Sequence, residues 1–482
     1  MDPKVLNSRT RQNWPIPSKM RRIHLQSLLD FVTEKEEKIV EALEIDLGKP
    51  PFEILASEIL CVKYEIKQLL KNLKSWTKPR PMPKYRIFHR DKCTEELLAF
   101  GTVLIISSWS SPFQNIMIPL AGAIAAGNCV IIKPAELATA TNQLFVEQIP
   151  KYFGRVRYFL LLMNFLRKHE VESNSNYAIY IPFFGITCQS VCQVLTGTLE
   201  KTKDFLREYS CDFIYFTGAS NDGIYIAREA AKTLTPVFLN FPVYVDSSAD
   251  ITLAAMRVMW GKIFNCGQMS VAPDYVLCHA DVQPKFLKEC RNALEFFFGG
   301  LPKIDTKNYG RIISMEHTER LKEMIFKTEG KLVLGGYVHV PAKFVQPTVF
   351  CDVPEYDILM QFEIFGPILP VITVDSSEEA LEYVSNQKKP QAVYVFSSKK
   401  GVFRTWKKHT ESGGIIQNDV VMLKGTRTTF GGVEASGLGR YRGKSSIELF
   451  SHRRGVILRS TKDDTDYKMR YPPFHSASPT QP

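Results

Sequence analysis

The sequence predicts an α/β protein whose first half contains a doubly wound dinucleotide-binding domain. Residues 103–106 and 129–132 are apolar throughout, which is typical of parallel strands covered by helices on both faces. A helix-length segment rich in small residues, IPLAGAIAAGN, lies between them. A third apolar run at 213–216 is followed by the glycine turn GASNDG. This order of strand, helix, strand and glycine turn is typical of dinucleotide-binding domains.

Length and charge limit the class of protein further. A chain of 482 residues is long enough for two or three folded units. Hydrophobic residues make up 45% and charged residues 23%, as in ordinary globular proteins. The net charge of +11 comes from Lys and Arg that are spread along the chain between Glu residues. That distribution favours a solvated surface over a nucleic-acid partner, which would need a clustered basic stripe.

The cysteines and the two ends of the chain indicate the compartment. Ten cysteines are scattered singly, without a CxxC pair or a His-rich tract, so neither disulfides nor a metal site are expected. The first 19 residues are too polar for a signal peptide, and the proline-rich end RYPPFHSASPTQP lacks an apolar anchor. We expect a cytoplasmic protein with reduced thiols and no membrane anchor.

Taken in order, the chain begins with helical patterns. Apolar spacing predicts one amphipathic helix at 18–48 and a second at 55–76. The segment KPRPMPKYR at 78–86 then ends the helix and begins an extended stretch.

An unpatterned stretch at 154–190 interrupts the strand and helix rhythm, and we interpret it as an insertion or as translated intron sequence. Its apolar run near 159–166 is shorter than the roughly 20 residues of a membrane span. Beyond it, residues 191–195, 204–208 and 212–216 resume a strand, helix, strand order.

The segment GKIFNCGQMSVAPDYVLC at 261–278 carries a family resemblance. It resembles the nucleophile loop of class 3 aldehyde dehydrogenases, the soluble, dimeric branch. The matching positions are Asn265, Gly267, Gln268, Val271, Ala272, Pro273, Asp274 and Tyr275. The resemblance implies the aldehyde dehydrogenase fold and NAD(P)-dependent oxidation of aldehydes to carboxylic acids. Ser270 stands where the family has its attacking cysteine.

Further boxes resemble the family's cofactor site. Lys133 and Glu136 match a box that contacts the adenosine ribose, and Gly218 and Gly223 match the cofactor turn. Trp109 belongs to a loop of tryptophan, asparagine, x and proline that borders the same site. In the box EIFGP, the resemblance assigns Glu363 to the nicotinamide ribose and Phe365 to packing beside it. Asp222 within the turn and Phe362 before the box depart from the family pattern.

Two further reacting positions depart as well. Ser110 replaces the asparagine whose amide donates to the oxyanion, and Asn240 replaces the glutamate that activates water. A Gly-Gly-Lys stretch is missing before Pro242. Serine is barely ionised at neutral pH, and asparagine cannot accept a proton from water. Cys266 is interpreted as a small buried side chain in preference to a relocated nucleophile.

The resemblance also implies a division into units. It assigns 1–80 and 100–240 to an NAD(P)-binding domain, 241–424 to a catalytic domain, 81–99 and 425–455 to a bridging and oligomerisation arm, and 456–482 to a polar tail. The arm implies a homodimer, or a heterodimer with a relative.

Together, these substitutions predict a family member that is catalytically impaired or inactive. Its cofactor would be NAD or NADP, with binding retained, weakened or lost, and its ancestral substrate an aldehyde. Three alternatives stay open: a non-catalytic binding or regulatory partner of active relatives, a weak serine-dependent esterase, and a decaying copy that folds poorly.

Overall fold

The structure is a computed structural model. It describes residues 16–84, 91–153, 191–209, 211–218, 223, 225, 226, 228, 242–424, 428–433, 436, 437, 439–459, 461 and 472. The predicted insertion at 154–190, Asp222, Asn240 and most of the predicted polar tail therefore lie outside the described residues.

A four-stranded parallel sheet lies in the first half of the chain, in the order β5-β4-β3-β6. Its strands are β3 (Thr102–Ile106), β4 (Cys129–Lys133), β5 (Cys192–Val194) and β6 (Phe213–Phe216). Every residue of β3 and β4 is buried, because helices cover both faces of the sheet.

The helices of this half include α1 (Ser18–Glu34), α2 (Glu36–Leu47), α3 (Pro51–Ile54), α4 (Leu60–Trp76), α5 (Gln114–Ala126) and α6 (Leu199–Glu208), and residues 139–153 are helical as well. The prediction of one helix over 18–48 is wrong, because the chain breaks at Lys35 between α1 and α2. The predicted second helix begins with a π-helical turn, Leu55–Ile59, before α4. Helix α5 is buried along its whole length. Its small residues permit this, since a side chain at Gly122 would come within 2.6 Å of Ser446 Cβ.

A seven-stranded sheet forms the second half, in the order β15-β14-β7-β8-β13-β12-β9. Its strands are β7 (Pro242–Val245), β8 (Tyr275–His279), β9 (Lys331–Leu334), β12 (Thr348–Cys351), β13 (Ile368–Val374), β14 (Ala392–Phe396) and β15 (Gly414–Gln417). All neighbouring pairs are parallel except β12 with β9.

Helices pack against this sheet. They are α7 (Ile251–Ile263), α8 (Gln283–Phe298), α9 (Met315–Lys327), α10 (Ile358–Gln361), α11 (Ser377–Asn386) and α12 (Lys400–His409). The last helix, α13 (Lys444–Leu449), packs instead against α5 of the first half. Side-chain caps begin several of them, including Asp250 at α7 and Ser314 at α9.

A three-stranded antiparallel sheet joins distant parts of the chain, in the order β1-β2-β18. Strands β1 (Arg80–Pro81) and β2 (Lys92–Ala99) pair with each other, and β18 (Ser451–Leu458) pairs with β2 over eight residues. The remaining strands form two small hairpins, β10 (Val338–His339) with β11 (Phe344–Val345), and β16 (Phe430–Gly431) with β17 (Arg440–Tyr441).

Across the part of the chain that the structure describes, no helix is long and apolar enough to cross a membrane.

Candidate active site

Strands β3, β4 and β6 place the predicted cofactor residues at one edge of the sheet. Trp109 follows β3, Lys133 ends β4, and Gly218 follows β6. Since these strands are parallel neighbours, their carboxyl ends meet at the same edge. This edge is where doubly wound sheets bind dinucleotides.

Lys133 and Glu136 form an ion pair at the carboxyl end of β4. Lys133 is 4% exposed, and its Nζ lies 3.4 Å from Oε2 of the more exposed Glu136. A side chain at Gly218 would meet the Phe216 ring at 2.5 Å, so packing requires glycine there. Gly223 is buried at the start of the next helical residues, whereas 219–222 lie outside the described part.

The turn that carries Ser270 begins with left-handed backbone. After α7 ends at Ile263, Asn265, Cys266 and Gly267 have φ values of 51°, 52° and 69°. A side chain at Gly267 would lie 2.3 Å from the carbonyl oxygen of Gly366. Glycine is therefore needed at 267, because the turn and the Glu363–Pro367 segment touch backbone to backbone.

Asn265 ties this turn to the loop of Ser110. Its Nδ2 donates to the carbonyl oxygens of Ser110 and Gln268, each at 2.8 Å. Gln268 is fully buried and accepts a hydrogen bond from the Ile313 amide at 3.0 Å. Ser270 follows two residues later and is partly exposed. The two predicted reacting serines thus lie on loops that one asparagine side chain holds together.

Cys266 is 1% exposed and belongs to an apolar cluster with Tyr309 and Ile312. Burial raises the pKa of its thiol well above the usual range, and the nearby Glu53 carboxylate raises it further. The interpretation of Cys266 as a small buried side chain is confirmed.

Glu363 and Phe365 belong to the Glu363–Pro367 segment, which touches the Ser270 turn. Phe365 has φ 48°, and its ring meets the Trp109 ring edge-on with centroids 5.3 Å apart. Glu363 is partly exposed as a residue, yet enclosure of its carboxyl raises its pKa to about 8, and Asp274 adds to the increase. Both carboxylates line a cavity of about 170 Å³.

A buried lysine accompanies these carboxylates. Lys262 is 1% exposed, and its Nζ donates to the carbonyl oxygen of Pro273 at 2.8 Å. Burial lowers its pKa to about 8, against the opposing effect of Asp274 and Glu363. Burial thus raises the pKa values of the two carboxyls and lowers that of the ammonium, which shifts all three groups toward their neutral forms.

His317 lies at the candidate site and was not among the residues that the sequence pointed to. Its ring contacts Trp109 edge-on with centroids 5.0 Å apart. Ser314, the cap of α9, accepts from the His317 amide at 3.1 Å and lies 2.8 Å from Nδ1. Burial, followed by the charge of Arg320, lowers the pKa of His317. No local sequence pattern links positions 109 and 317, so only tertiary packing could bring them together.

Asn240, the predicted position of the base, lies outside the described residues, and the structure resumes at Pro242. Among the residues that are described, no group of His, Cys, Asp and Glu could hold a metal ion.

A family model described as "Aldehyde dehydrogenase family" matches residues 8–152 and 188–456. The chain belongs to the aldehyde dehydrogenase family. The stretch that the family model leaves unmatched, 153–187, overlaps the predicted insertion. The family reaction is the NAD(P)-dependent oxidation of aldehydes.

Relatives within the family cover almost the whole chain. Aldehyde dehydrogenase family 3 member B1 of Mus musculus is 36% identical over 464 residues, which is 95% of this chain and 91% of the relative. The Homo sapiens protein of the same name is 36% identical over 462 residues, with coverage of 95% and 91%.

Solved structures show the same fold. AldH of Staphylococcus aureus, in a substrate-bound state, is 31% identical with a TM-score of 0.85, covering 95% of this chain and 93% of its own. An aldehyde dehydrogenase of Mycobacterium tuberculosis complexed with NAD+ has a TM-score of 0.74 at 22% identity, covering 92% and 86%. Glyceraldehyde-3-phosphate dehydrogenase GapN of Methanocaldococcus jannaschii, complexed with NADP, has a TM-score of 0.75 at 21% identity, covering 94% and 92%. The predicted fold is confirmed.

Proposed function

We propose that this family member binds a nicotinamide dinucleotide but oxidises aldehydes very slowly or not at all. The observation that carries the proposal is the pairing of Ser270 at the nucleophile position with Cys266 sealed in the core of the same turn. The family reaction begins with a thiolate adding to the carbonyl carbon. The serine hydroxyl of Ser270 is hardly ionised at neutral pH, so this first step lacks its nucleophile.

Cys266 does not substitute for the missing thiolate. A nucleophilic cysteine needs access to its substrate and a lowered pKa, and Cys266 has neither. Its Sγ also lies against Gly310, where an added side-chain carbon would come within 3.3 Å.

The oxyanion and base positions support the same conclusion. Ser110 presents a short hydroxyl in place of an amide, and Asn240 presents a group that cannot take a proton from water. Removing one oxyanion donor typically reduces kcat about a hundredfold to a thousandfold. Because these groups act as a unit, restoring one alone would recover little activity.

The residues present fit a dinucleotide. Lys133 and Glu136 stand at the carboxyl end of β4, where the ribose of an adenosine would bind. Phe365 packs against Trp109, and Glu363 precedes it by two residues, so the nicotinamide end would bind beside this segment. A bound NAD or NADP supplies a hydride acceptor. In this chain, Trp109 and Phe365 would exclude water from that end, and Glu363 would hold ribose hydroxyls.

Two measurements on the full chain test the proposal. Calorimetric titration with NAD and with NADP should show binding. Oxidation of benzaldehyde and hexanal with either cofactor should proceed at least about a hundredfold more slowly than in active relatives. Ordinary turnover would overturn the proposal, and so would failure of both cofactors to bind.

Restoring the missing groups provides the positive control. The double variant Ser270→Cys with Asn240→Glu should oxidise aldehydes faster than either single variant, since nucleophile and base act as a unit. Equal rates for the double and the single variants would contradict the proposed roles of positions 270 and 240.

A second candidate, a weak serine-dependent esterase, is favoured by the placement of His317. A neutral imidazole beside Trp109 could accept the proton of a serine hydroxyl. Hydrolysis of 4-nitrophenyl acetate by the wild type, Ser270→Ala and His317→Gln tests this function. Equal rates in all three would exclude it.

We also propose a cytoplasmic dimer. None of the described cysteines is paired in a disulfide, which supports a reducing compartment. Strand β18 pairs with β2 on one side, and Ile457 and Leu458 are 67% and 58% exposed near its end. This edge can pair with a second copy or with an active relative. Co-purification of a tagged relative would favour the regulatory role of a heterodimer, and self-association alone would count against it.

A further inference from the structure

The side chains of Asn115, Ser108 and Ser110 form a hydrogen-bonded series. The Nδ2 of Asn115 donates to the Oγ of Ser108 at 3.0 Å, and that oxygen lies 3.0 Å from the Oγ of Ser110. Asn115 is 9% exposed and Ser110 is 5% exposed. The two ends of the series are therefore buried, and Ser108 between them is partly exposed.

Asn115 is unusual in its helix. Residues 116–126 of α5 carry no polar side chain. The preceding Gln114 has its own structural partner, because its Nε2 donates to the carbonyl oxygen of Ser57 at 2.9 Å. A buried amide is tolerated where it makes hydrogen bonds, and the bond that the structure gives Asn115 is to Ser108.

The hydroxyl of Ser108 lies in the middle of this series. Its oxygen accepts the bond from Asn115, and in its pair with Ser110 either hydroxyl can donate. In the arrangement in which Ser108 donates to Ser110, the proton of Ser110 is left to donate to a ligand. Each bond in such a series polarises the next.

The free end of this series lies at the candidate site. The carbonyl oxygen of Ser110 accepts from Asn265, which also holds the turn that leads to Ser270. On the neighbouring side, Trp109 lies against Phe365 and His317. The Ser110 end of the series therefore borders both the Ser270 turn and the ring of Trp109.

We propose that Asn115 is a positioning residue. Through Ser108, it orients the Ser110 hydroxyl as a donor to the acceptor oxygen of a carbonyl or carboxylate ligand, which is held without covalent capture. The inference rests on the proposed function, in which the site keeps its shape but lacks its nucleophile. It predicts that ligands offering an acceptor oxygen bind in preference to ligands offering only donors.

Calorimetric titration of the full chain with benzoate and with benzylammonium, in the presence of NAD, tests this inference. Benzoate should bind more tightly than benzylammonium. Asn115→Leu, Ser108→Ala and Ser110→Ala should each weaken benzoate binding about threefold to tenfold and reduce this preference. The double variant Asn115→Leu with Ser110→Ala should lose little more than Ser110→Ala alone, since both act through one hydroxyl.

Asn292→Leu, at an exposed position of α8, is the matched control and should bind benzoate like the wild type. If Asn115→Leu fails to fold, the smaller change Ser108→Ala tests the same series. Unchanged benzoate affinity in these variants, no benzoate binding by the wild type, or a preference for benzylammonium would overturn the inference. The proposed function is tested independently of this inference, by the NAD titration and the aldehyde assay.

Discussion

At the residue scale, the burial of Cys266 determines which thiol chemistry the turn can support. Cys266 is one of six buried thiols among the described cysteines, whereas Cys61, Cys93 and Cys211 are partly exposed. Since the thiolate is the reactive form, a buried thiol with a raised pKa reacts slowly.

Brief alkylation of the native protein with iodoacetamide should therefore modify Cys61 and Cys93 before Cys266. Burial raises the pKa of Cys211 to about 12, so it should also react slowly. Peptide mass spectrometry measures the order, and alkylation of the unfolded protein is the control. Preferential labelling of Cys266 would contradict its assignment as a structural residue and revive the relocated nucleophile.

His24 is a second residue whose environment has a measurable consequence. It is fully buried, stacked on Phe153 with centroids 5.6 Å apart, and within the described residues neither ring nitrogen has a hydrogen-bond partner. Burial lowers its pKa from 6.5 to about 4. Folding thus favours the neutral ring.

The contribution of the neutral His24 ring to the free energy of unfolding is fully present above pH 6.5, the pKa of this histidine in the unfolded chain. That contribution is lost as the pH falls toward 4. Between pH 7 and pH 5, the free energy of unfolding should fall by about 2 kcal/mol through this group. Urea denaturation at both pH values should show a smaller fall in His24→Phe. The exposed change His452→Gln is the control, and equal pH dependence in wild type and His24→Phe would refute the account.

At the element scale, the segment from Lys49 to Glu58 connects the two loops of the site. Glu58 Oε1 lies 2.7 Å from Lys49 Nζ. Glu58 Oε2 accepts a hydrogen bond of 2.8 Å from the backbone amide of Gln114, at the start of α5. Glu53 accepts from the Asn265 amide at 2.9 Å. The π-helical turn brings Glu58 inward, so one short segment holds both the Ser110 loop and the Ser270 turn.

Breaking this buried ion pair should destabilise the protein more than breaking a surface pair. Glu58→Gln leaves the Lys49 charge buried and should lower the free energy of unfolding by about 3 to 5 kcal/mol. Removing both charges in Lys49→Met with Glu58→Met should recover most of that loss. The exposed pair of Glu319 with Lys322 is the control, and Glu319→Gln should change stability by less than about 1 kcal/mol. Chemical denaturation measures the free energy of unfolding of the three variants. Equal effects of Glu58→Gln and Glu319→Gln would contradict this account.

At the scale of the whole molecule, the β1-β2-β18 sheet joins residues near 80, 92–99 and 451–458. Salt bridges of Arg453 with Glu95 and of Arg454 with Glu96 reinforce the pairing of β18 with β2. Among the described strands, β18 has a neighbour on one side only, and Ile457 and Leu458 near its end are exposed. An exposed strand edge is a template for pairing with another chain.

If β18 forms the dimer interface, Ile457→Asp with Leu458→Asp should convert the dimer to a monomer, because two charges would face each other across the edge. Sedimentation velocity measures the change in mass. Phe326→Asp is the control, since Phe326 is 89% exposed on α9, in a different part of the fold. A dimer that survives the double change would place the interface elsewhere.

The sequence by itself determined the fold and the family. Apolar runs at β3, β4 and β6 predicted buried parallel strands, and the boxes around Ser270 and Glu363 predicted which loops meet at the site. Local patterns suffice for this, because strand burial and glycine turns depend on residues that are close in the chain.

Tertiary structure alone decided how those residues interact. The break at Lys35, the contact of His317 with Trp109, and the series from Asn115 to Ser110 depend on packing between segments or on backbone geometry that periodicity does not record. Folding likewise decided that the Cys266 thiol is enclosed and its pKa raised, since a thiol takes its reactivity from surroundings that are assembled only when the chain has folded.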